Sequence, residues 1–546
     1  ASVGGGPALQ PDENGPAKGK GAGKGPPKGK GFGKNGKDSG KGKGKKGKGR
    51  AAKGQGPPGD PDGGDDRDGG EAGGDHREPW EHFENEEWQF LDVIDLRTEF
   101  LKPCPTLRKV PPRHMKKVAS RFSRVAYFAL NARDQRAKDR ALKYFFLLPR
   151  MLFQAPLRNR LNGRNSRSLY NARSILVGER LIANPRDRFL EYQASLQHSA
   201  SSTNLRRSAR LQASRDDFEH HLSNEIMRNV HEGYISRASS LASSPGIAAV
   251  GEATAQILRN LWSRAPYQPP SPWTPPDNLT RINLSEGIRN ELHKSLRTSA
   301  KGSGAGMSGF RFEFLQPLLR APAHEWLPFQ NLAVAIGIGE VPAWVRDVLS
   351  LGRATALKKG DNGVRPLVCH EPVRRLLTRA LVFASGESIQ SYLGPNQFAV
   401  GVQGGCPAMA CSVKKLAHRH KDLIFFKLDL VNAYNTQCRE VALQNLAVPS
   451  PALASFLKQF YGTESQYFYR TGQNEHTIIV AQEGIEQGDP AGPALFACGL
   501  KAPLDELRGA LHRLIADARN DQVGYDADSE NDNHSPASGV PGADVT

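Results

Sequence analysis

The stretch that most constrains the fold is residues 423–436, Leu-Ile-Phe-Phe-Lys-Leu-Asp-Leu-Val-Asn-Ala-Tyr-Asn-Thr. Its apolar run is too short for a helix and ends on one carboxylate, Asp429. A polar turn, an aromatic at Tyr434 and a helical pattern from Arg439 follow. That order predicts a buried strand delivering an acid to the edge of a sheet. Residues 483–496, Glu-Gly-Ile-Glu-Gln-Gly-Asp-Pro-Ala-Gly-Pro-Ala-Leu-Phe, form a Gly- and Pro-punctuated turn. It opens a helix expected over residues 491–511, with Pro490 setting the first turn. Strand, acid, turn and helix in this order imply an α+β domain.

Composition limits how much of the 546 residues can join such a domain. Of 56 glycines and 38 prolines, many of the glycines fall in the first eighty positions, which also hold Lys-rich runs such as residues 40–48. Residues 1–79, basic and then acidic from Asp60, carry too few apolar side chains to offset ordering entropy and are expected to be disordered. A formal charge of +18 and a pI near 9.6 point to a polyanionic partner. Cys104, Cys369, Cys406, Cys411, Cys438 and Cys498 make no Cys-x-x-Cys pair, which suggests reduced thiols in an intracellular protein. The Lys-rich tail reads as a phosphate-binding arm or as a solubilising or nuclear-targeting tail, so a nuclear location is expected. The spacing of Cys406, Cys411, His418 and His420 fits no standard zinc finger. No apolar run approaches the roughly 18 residues of a membrane span, so no membrane partner is expected. The chain opens on Ala1 without Met, which suggests a piece of a longer reading frame.

Order is expected from about Trp80. Residues 80–265 read as a mostly helical basic extension. Within it Val118, Phe122, Val125 and Ala129 share one helix face, while Arg113, Lys117, Arg121 and Arg124 fall about a third of a turn away. This basic face suits nucleic acid, although a solvated face has the same pattern. Residues 145–149 suggest a buried helix end stopped by Pro149. Residues 196–216 read as a Ser/Arg-rich loop, residues 233–248 as a short helix closed by Ser-Pro-Gly, and residues 266–281 as a Pro-rich linker.

The globular region spans residues 282–511. Its Gly-rich loop, residues 299–311, could cradle a phosphate, but without Gly-Lys-Ser/Thr it argues against NTPase chemistry. Residues 354–368 place two apolar runs about Gly360-Asp361-Asn362-Gly363, a hairpin signal that would gather Lys358, Lys359 and Arg365. Clustered cations there suit a triphosphate.

The two stretches at 423–436 and 483–496 resemble motifs A and B of a reverse transcriptase palm of the non-LTR retrotransposon type, with Gln487-Gly488-Asp489-Pro490 the most specific string. The resemblance covers residues 285–511 well and the extension loosely. It implies a fingers–palm fold and template-directed DNA synthesis from dNTPs on an RNA template and DNA primer. Two Mg²⁺ ions would be held by Asp429, the Leu430 carbonyl and a second acid. Tyr434 would gate the sugar, Gln487 and Gly488 would flank the nascent base pair, and Lys358, Lys359 and Arg365 would meet the triphosphate. The family's motif C, Tyr-x-Asp-Asp on a hairpin, has as its counterpart here residues 524–529, Gly-Tyr-Asp-Ala-Asp-Ser, where Ala527 stands for the first acid and Asp528 remains. Its surroundings are so polar that residues 512–546 also read as a disordered tail. No thumb, zinc-finger or endonuclease signature is recognised. The alternative is a catalytically inactive, truncated retroelement relic that only binds nucleic acid.

Overall fold

The computed structural model of the chain describes residues 83–530 apart from 156–165, 211–214, 232, 245, 263–276, 360–362, 396, 422–423 and 473–474. The Gly/Lys-rich and acidic stretch 1–79 and most of the Pro-rich linker therefore lie outside the described residues. The fold is α-rich with one small mixed sheet, an α+β arrangement. No described helix is long and apolar enough to cross a membrane.

The helices form where the apolar period demands them. Met115–Asn131 buries Val118, Phe122, Val125 and Ala129 as expected, and packs on Gln135–Phe153, whose Phe145, Phe146, Leu147 and Leu148 are fully buried. Each such side chain contributes roughly 1.5–3 kcal/mol through burial. The second helix does not stop at Pro149 but runs four residues further, to Phe153, and its end is embedded among arginines that cap its last carbonyls and tie it to neighbouring segments. Arg150 donates to the carbonyls of Glu99, Phe100 and Met307, Arg180 to those of Leu152 and Gln154, and Arg188 to that of Met151. Of residues 196–216, read as a Ser/Arg loop, 196–210 belong instead to the helix Pro185–Arg210 and 215–216 open the helix Arg215–His231, while 211–214 lie outside the described residues. The short helix Ile235–Ala242 forms as expected.

One hydrophobic core runs from Phe83 to Cys498. It includes rings on both sides of the Pro-rich stretch: Phe122 lies 5.6 Å from Phe310, and Phe153 stacks on Phe314 at 4.1 Å. The linker thus divides the sequence but not the packing.

The sheet contains β1 (Gly352–Lys359), β2 (Gly363–His370), β3 (Ser465–Arg470) and β4 (His476–Ala481) in the order β2-β1-β3-β4. β1 and β2 form the anticipated antiparallel hairpin, and β3 and β4 a second one. The hairpins join in parallel at only two positions, Gly352 with Tyr467 and Arg353 with Phe468. Further along β1, Ala248 N–H donates to Ala356 and Lys358 N–H to Gly246, so a piece of the extension completes the edge. The helix Glu252–Trp262 then covers the sheet, burying Ala255, Leu258 and Trp262 against Ala356, Val368, Tyr467 and Ile479.

Candidate functional site

The expected buried strand is absent. Residues 424–431 have no regular structure and no backbone hydrogen bond among the described residues. Their apolar side chains face outward, Phe426 at 89 % and Val431 at 80 % exposure. The physical reason is pairing: a strand persists only where neighbours satisfy its N–H and C=O rows, and none of the four strands lies beside this segment. Asp429 and Leu430 are consequently exposed. The counterpart of motif C is not a hairpin either. The helix Gly492–Glu530 continues past residue 511 through Asp528, whose side chain lies outside what the structure describes. Among the described residues no group of three or more His, Cys, Asp or Glu side chains is placed to hold a metal ion. One exposed carboxylate and a carbonyl on an unpaired segment do not fit a two-Mg²⁺ site.

The residues expected to meet the nucleotide are assembled differently. At the end of the open segment Asn432 adopts a left-handed conformation (φ 52°), turning the chain into the single turn Ala433–Thr436. Here the Tyr434 carbonyl accepts from Ile485 N–H at 2.6 Å and the Gln437 carbonyl from Gly484 N–H at 2.9 Å. The side-chain amide of Gln487 reaches the Asn435 Oδ1 at 3.4 Å. Tyr434 lies parallel to Phe496, ring centres 4.9 Å apart, and half-burial raises its hydroxyl pKa. Gly492 leaves room for the ring, since a Cβ there would sit 3.2 Å from Tyr434 Cε1.

The same turn closes on the hairpin. The Gln487 carbonyl accepts from Val368 N–H at 2.9 Å, occupying the outer edge of β2. Gly488 has φ 118°, and a Cβ there would lie 2.5 Å from the Val368 carbonyl and 3.2 Å from Leu367 Cδ1. Gln487 and Gly488 thus meet the outer edge of the hairpin at Leu367 and Val368, and Tyr434 is tied to them through the Ile485 N–H. The three cations do not all share one face of the hairpin. Register pairs Lys358 with Val364, Leu357 with Arg365 and Lys359 with Gly363. Alternation along a strand then puts Lys359 and Arg365 on the face of Leu367, and Lys358 on the other. All three are exposed.

Sequence reasoning missed the buried assembly under the turn. Arg374, from the helix Pro372–Ala384, donates to Glu486 Oε2 at 2.7 Å and Asp489 Oδ2 at 3.1 Å. His370 Nε2 lies 2.7 Å from the same Glu486 oxygen. Tyr461 donates to both acids, at 2.9 and 3.0 Å, and Tyr467 to Glu486 Oε1 at 2.9 Å. Asp489 Oδ1 also accepts from Ala491 N–H at 2.9 Å, capping the entry to the long helix. Burial alone would raise the Glu486 carboxyl. The charges of Arg374 and His370 reverse that and hold it well below the usual carboxylate range. The acids Glu483, Glu486 and Asp489 in one Gly-rich turn were the available signal.

On the basic helix, Arg113, Lys117 and Arg124 are exposed, but Arg121 is only 6 % exposed and donates to Tyr144 and the Leu181 carbonyl. Arg121 is therefore a packing residue and leaves the nucleic-acid set. On the expectation that this helix binds nucleic acid, replacing Arg113 and Lys117 together by Gln should weaken RNA binding at all sequences alike. It should also reduce the slope of log K against log salt by about 1–2, in a filter-binding titration at varied salt.

No protein-family description matches the chain, and no curated protein matches it.

Proposed function

We propose that the chain carries the fingers and the nucleotide-side half of the palm of a reverse transcriptase of the non-LTR retroelement type, and that it acts by itself as a nucleic-acid binder. The observation supporting this reading is the joint at the turn. Three stretches far apart in sequence, ending at Val368, Tyr434 and Gln487, are tied by backbone hydrogen bonds into one surface. A half-buried aromatic, an amide and a glycine packed against the edge of a hairpin that carries Lys359 and Arg365 supply the group types that a base pair with an incoming triphosphate requires.

The second half of the proposal rests on Asp429. With this acid exposed on an unpaired segment, nothing among the described residues orients it towards a second carboxylate. Nucleotidyl transfer needs carboxylates that hold two cations a few ångströms apart.

The test is primer extension on poly(rA)/oligo(dT) with Mg²⁺ and dTTP, beside an Asp429→Ala variant, with duplex binding measured in parallel. The expected result is binding that falls steeply with salt and extension no greater than that of the variant. Extension abolished by Asp429→Ala would overturn the binder reading in favour of an active polymerase. Absence of both binding and extension would sink the proposal altogether.

A further inference from the structure

The Gly-rich loop between the helices Asn278–Arg297 and Phe312–Leu315 is surrounded by arginines that none of the roles above uses. Arg311 donates to the Ser303 carbonyl at 3.1 Å, Arg375 to that of Gly304 at 3.2 Å and Arg353 to that of Ala305 at 2.9 Å. Arg237, from the helix Ile235–Ala242, lies against Gly302, where an added Cβ would meet its Cδ at 3.0 Å. Arg353 stands 3.8 Å from the Cβ position of Gly304. Four separate parts of the chain thus bring four guanidinium groups to four consecutive loop residues.

Compensating acid is scarce. Glu313 receives Gly302 N–H at 2.5 Å on one oxygen, and Glu371 is spent on the N–H and hydroxyl of Ser308, at 2.8 and 2.6 Å. Three buried polar atoms at the loop have no hydrogen-bond partner among the described residues: Arg311 Nε, Ser303 Oγ and the second oxygen of Glu313. Arg237 likewise has no hydrogen-bond partner there, and both it and Arg353 open to solvent. Burial lowers the Arg311 guanidinium pKa; Glu313 opposes that shift, and Arg108, Arg237 and Arg353 add repulsion. Four arginines beside the carboxylates of Glu313 and Glu371, held together while partly desolvated, favour an incoming anion, and planar guanidinium forks match phosphate oxygens.

We propose that Arg237, Arg311, Arg353 and Arg375, arranged around residues 302–305, form a phosphate-binding site. The loop achieves with side-chain forks what a P-loop achieves with its backbone. The site is distinct from the turn at Gln487 and does not depend on the chain being a polymerase. Two sources carry the same chemistry, an internal phosphodiester of a nucleic acid and the terminal phosphates of a free nucleotide.

The experiment follows the thermal unfolding midpoint of the full chain against inorganic pyrophosphate. Attraction that is equal in folded and unfolded chains leaves the midpoint unmoved, so the midpoint reports pyrophosphate bound preferentially to the folded chain. The midpoint of the wild type should rise with concentration, and the apparent Kd from that dependence should weaken at least tenfold in Arg311→Gln and in Arg237→Gln. The latter replaces a solvent-exposed side chain and keeps the test available if the former fails to fold. Arg281→Gln, whose native side chain pairs with Glu340 elsewhere, should leave the Kd unchanged. A hexaribonucleotide without terminal phosphate that competes with pyrophosphate supports the phosphodiester source, and competition by dATP alone supports the nucleotide. A midpoint unmoved by pyrophosphate, Kd values within twofold across the two site variants, or equal weakening in Arg281→Gln would overturn the proposal.

Discussion

Replacing Arg374 by Met should lower the unfolding free energy by about 3–5 kcal/mol, the usual cost of leaving buried charges without their partner. The side chain is fully enclosed, and its removal strands Glu486 and Asp489 where water cannot reach them. Its guanidinium also lies over the Phe460 ring at 4.2 Å, so packing is lost with the charge. Urea unfolding of the variant beside the wild type measures the effect, and a loss below about 1 kcal/mol would contradict the account. The pH dependence has a defined sign. The folded-state pKa of Glu486 is depressed below its unfolded value near 4.3, so its contribution is complete above that value and declines as pH falls further towards the folded pKa. The Arg374→Met variant should therefore lose less stability between pH 5 and pH 3 than the wild type does.

Gly488→Val should cost about 3 kcal/mol or more, from two causes that add. A β-branched residue at φ 118° is strained wherever it sits, and here its Cβ would collide with a backbone carbonyl on β2 that cannot move alone. The turn would have to lift from the hairpin, breaking the Val368–Gln487 bond. Calorimetric unfolding should show a lowered midpoint, and on the proposed function triphosphate affinity should fall more than the stability loss explains. Gly339→Ala is a useful comparison, since that glycine also has positive φ (78°) but meets no atom within 4 Å. Its cost isolates backbone strain from collision.

What the sequence disclosed followed from how local the determining physics was. The hairpin around residues 360–362 and the helices from Met115, Arg439 and Gly492 depend on periodicity and turn chemistry within a few residues, and these were readable. The turn glycines were readable too, since only glycine tolerates such approach. The segment before Asp429 has strand composition without strand structure, because a strand is a property of its neighbours and no neighbour is written into the segment itself. Lys358 parted from Lys359 and Arg365 because side chains alternate across the sheet, a register that charge spacing does not carry. Arg121 and Arg374 were the hardest to assign. A buried arginine differs from an exposed one only through partners such as Tyr144 or Glu486, which come from distant parts of the chain.

The strip of the extension at residues 246–248, with the helix Glu252–Trp262 behind it, has an evolutionary consequence. It supplies hydrogen bonds to β1 and apolar cover to Tyr467 and Ile479, so the region after the Pro-rich stretch lacks a finished sheet without the region before it. The two halves are not cassettes that recombination could exchange independently. Each substitution on the inner face of the strip is constrained by residues more than a hundred positions away, and the pair must be inherited together.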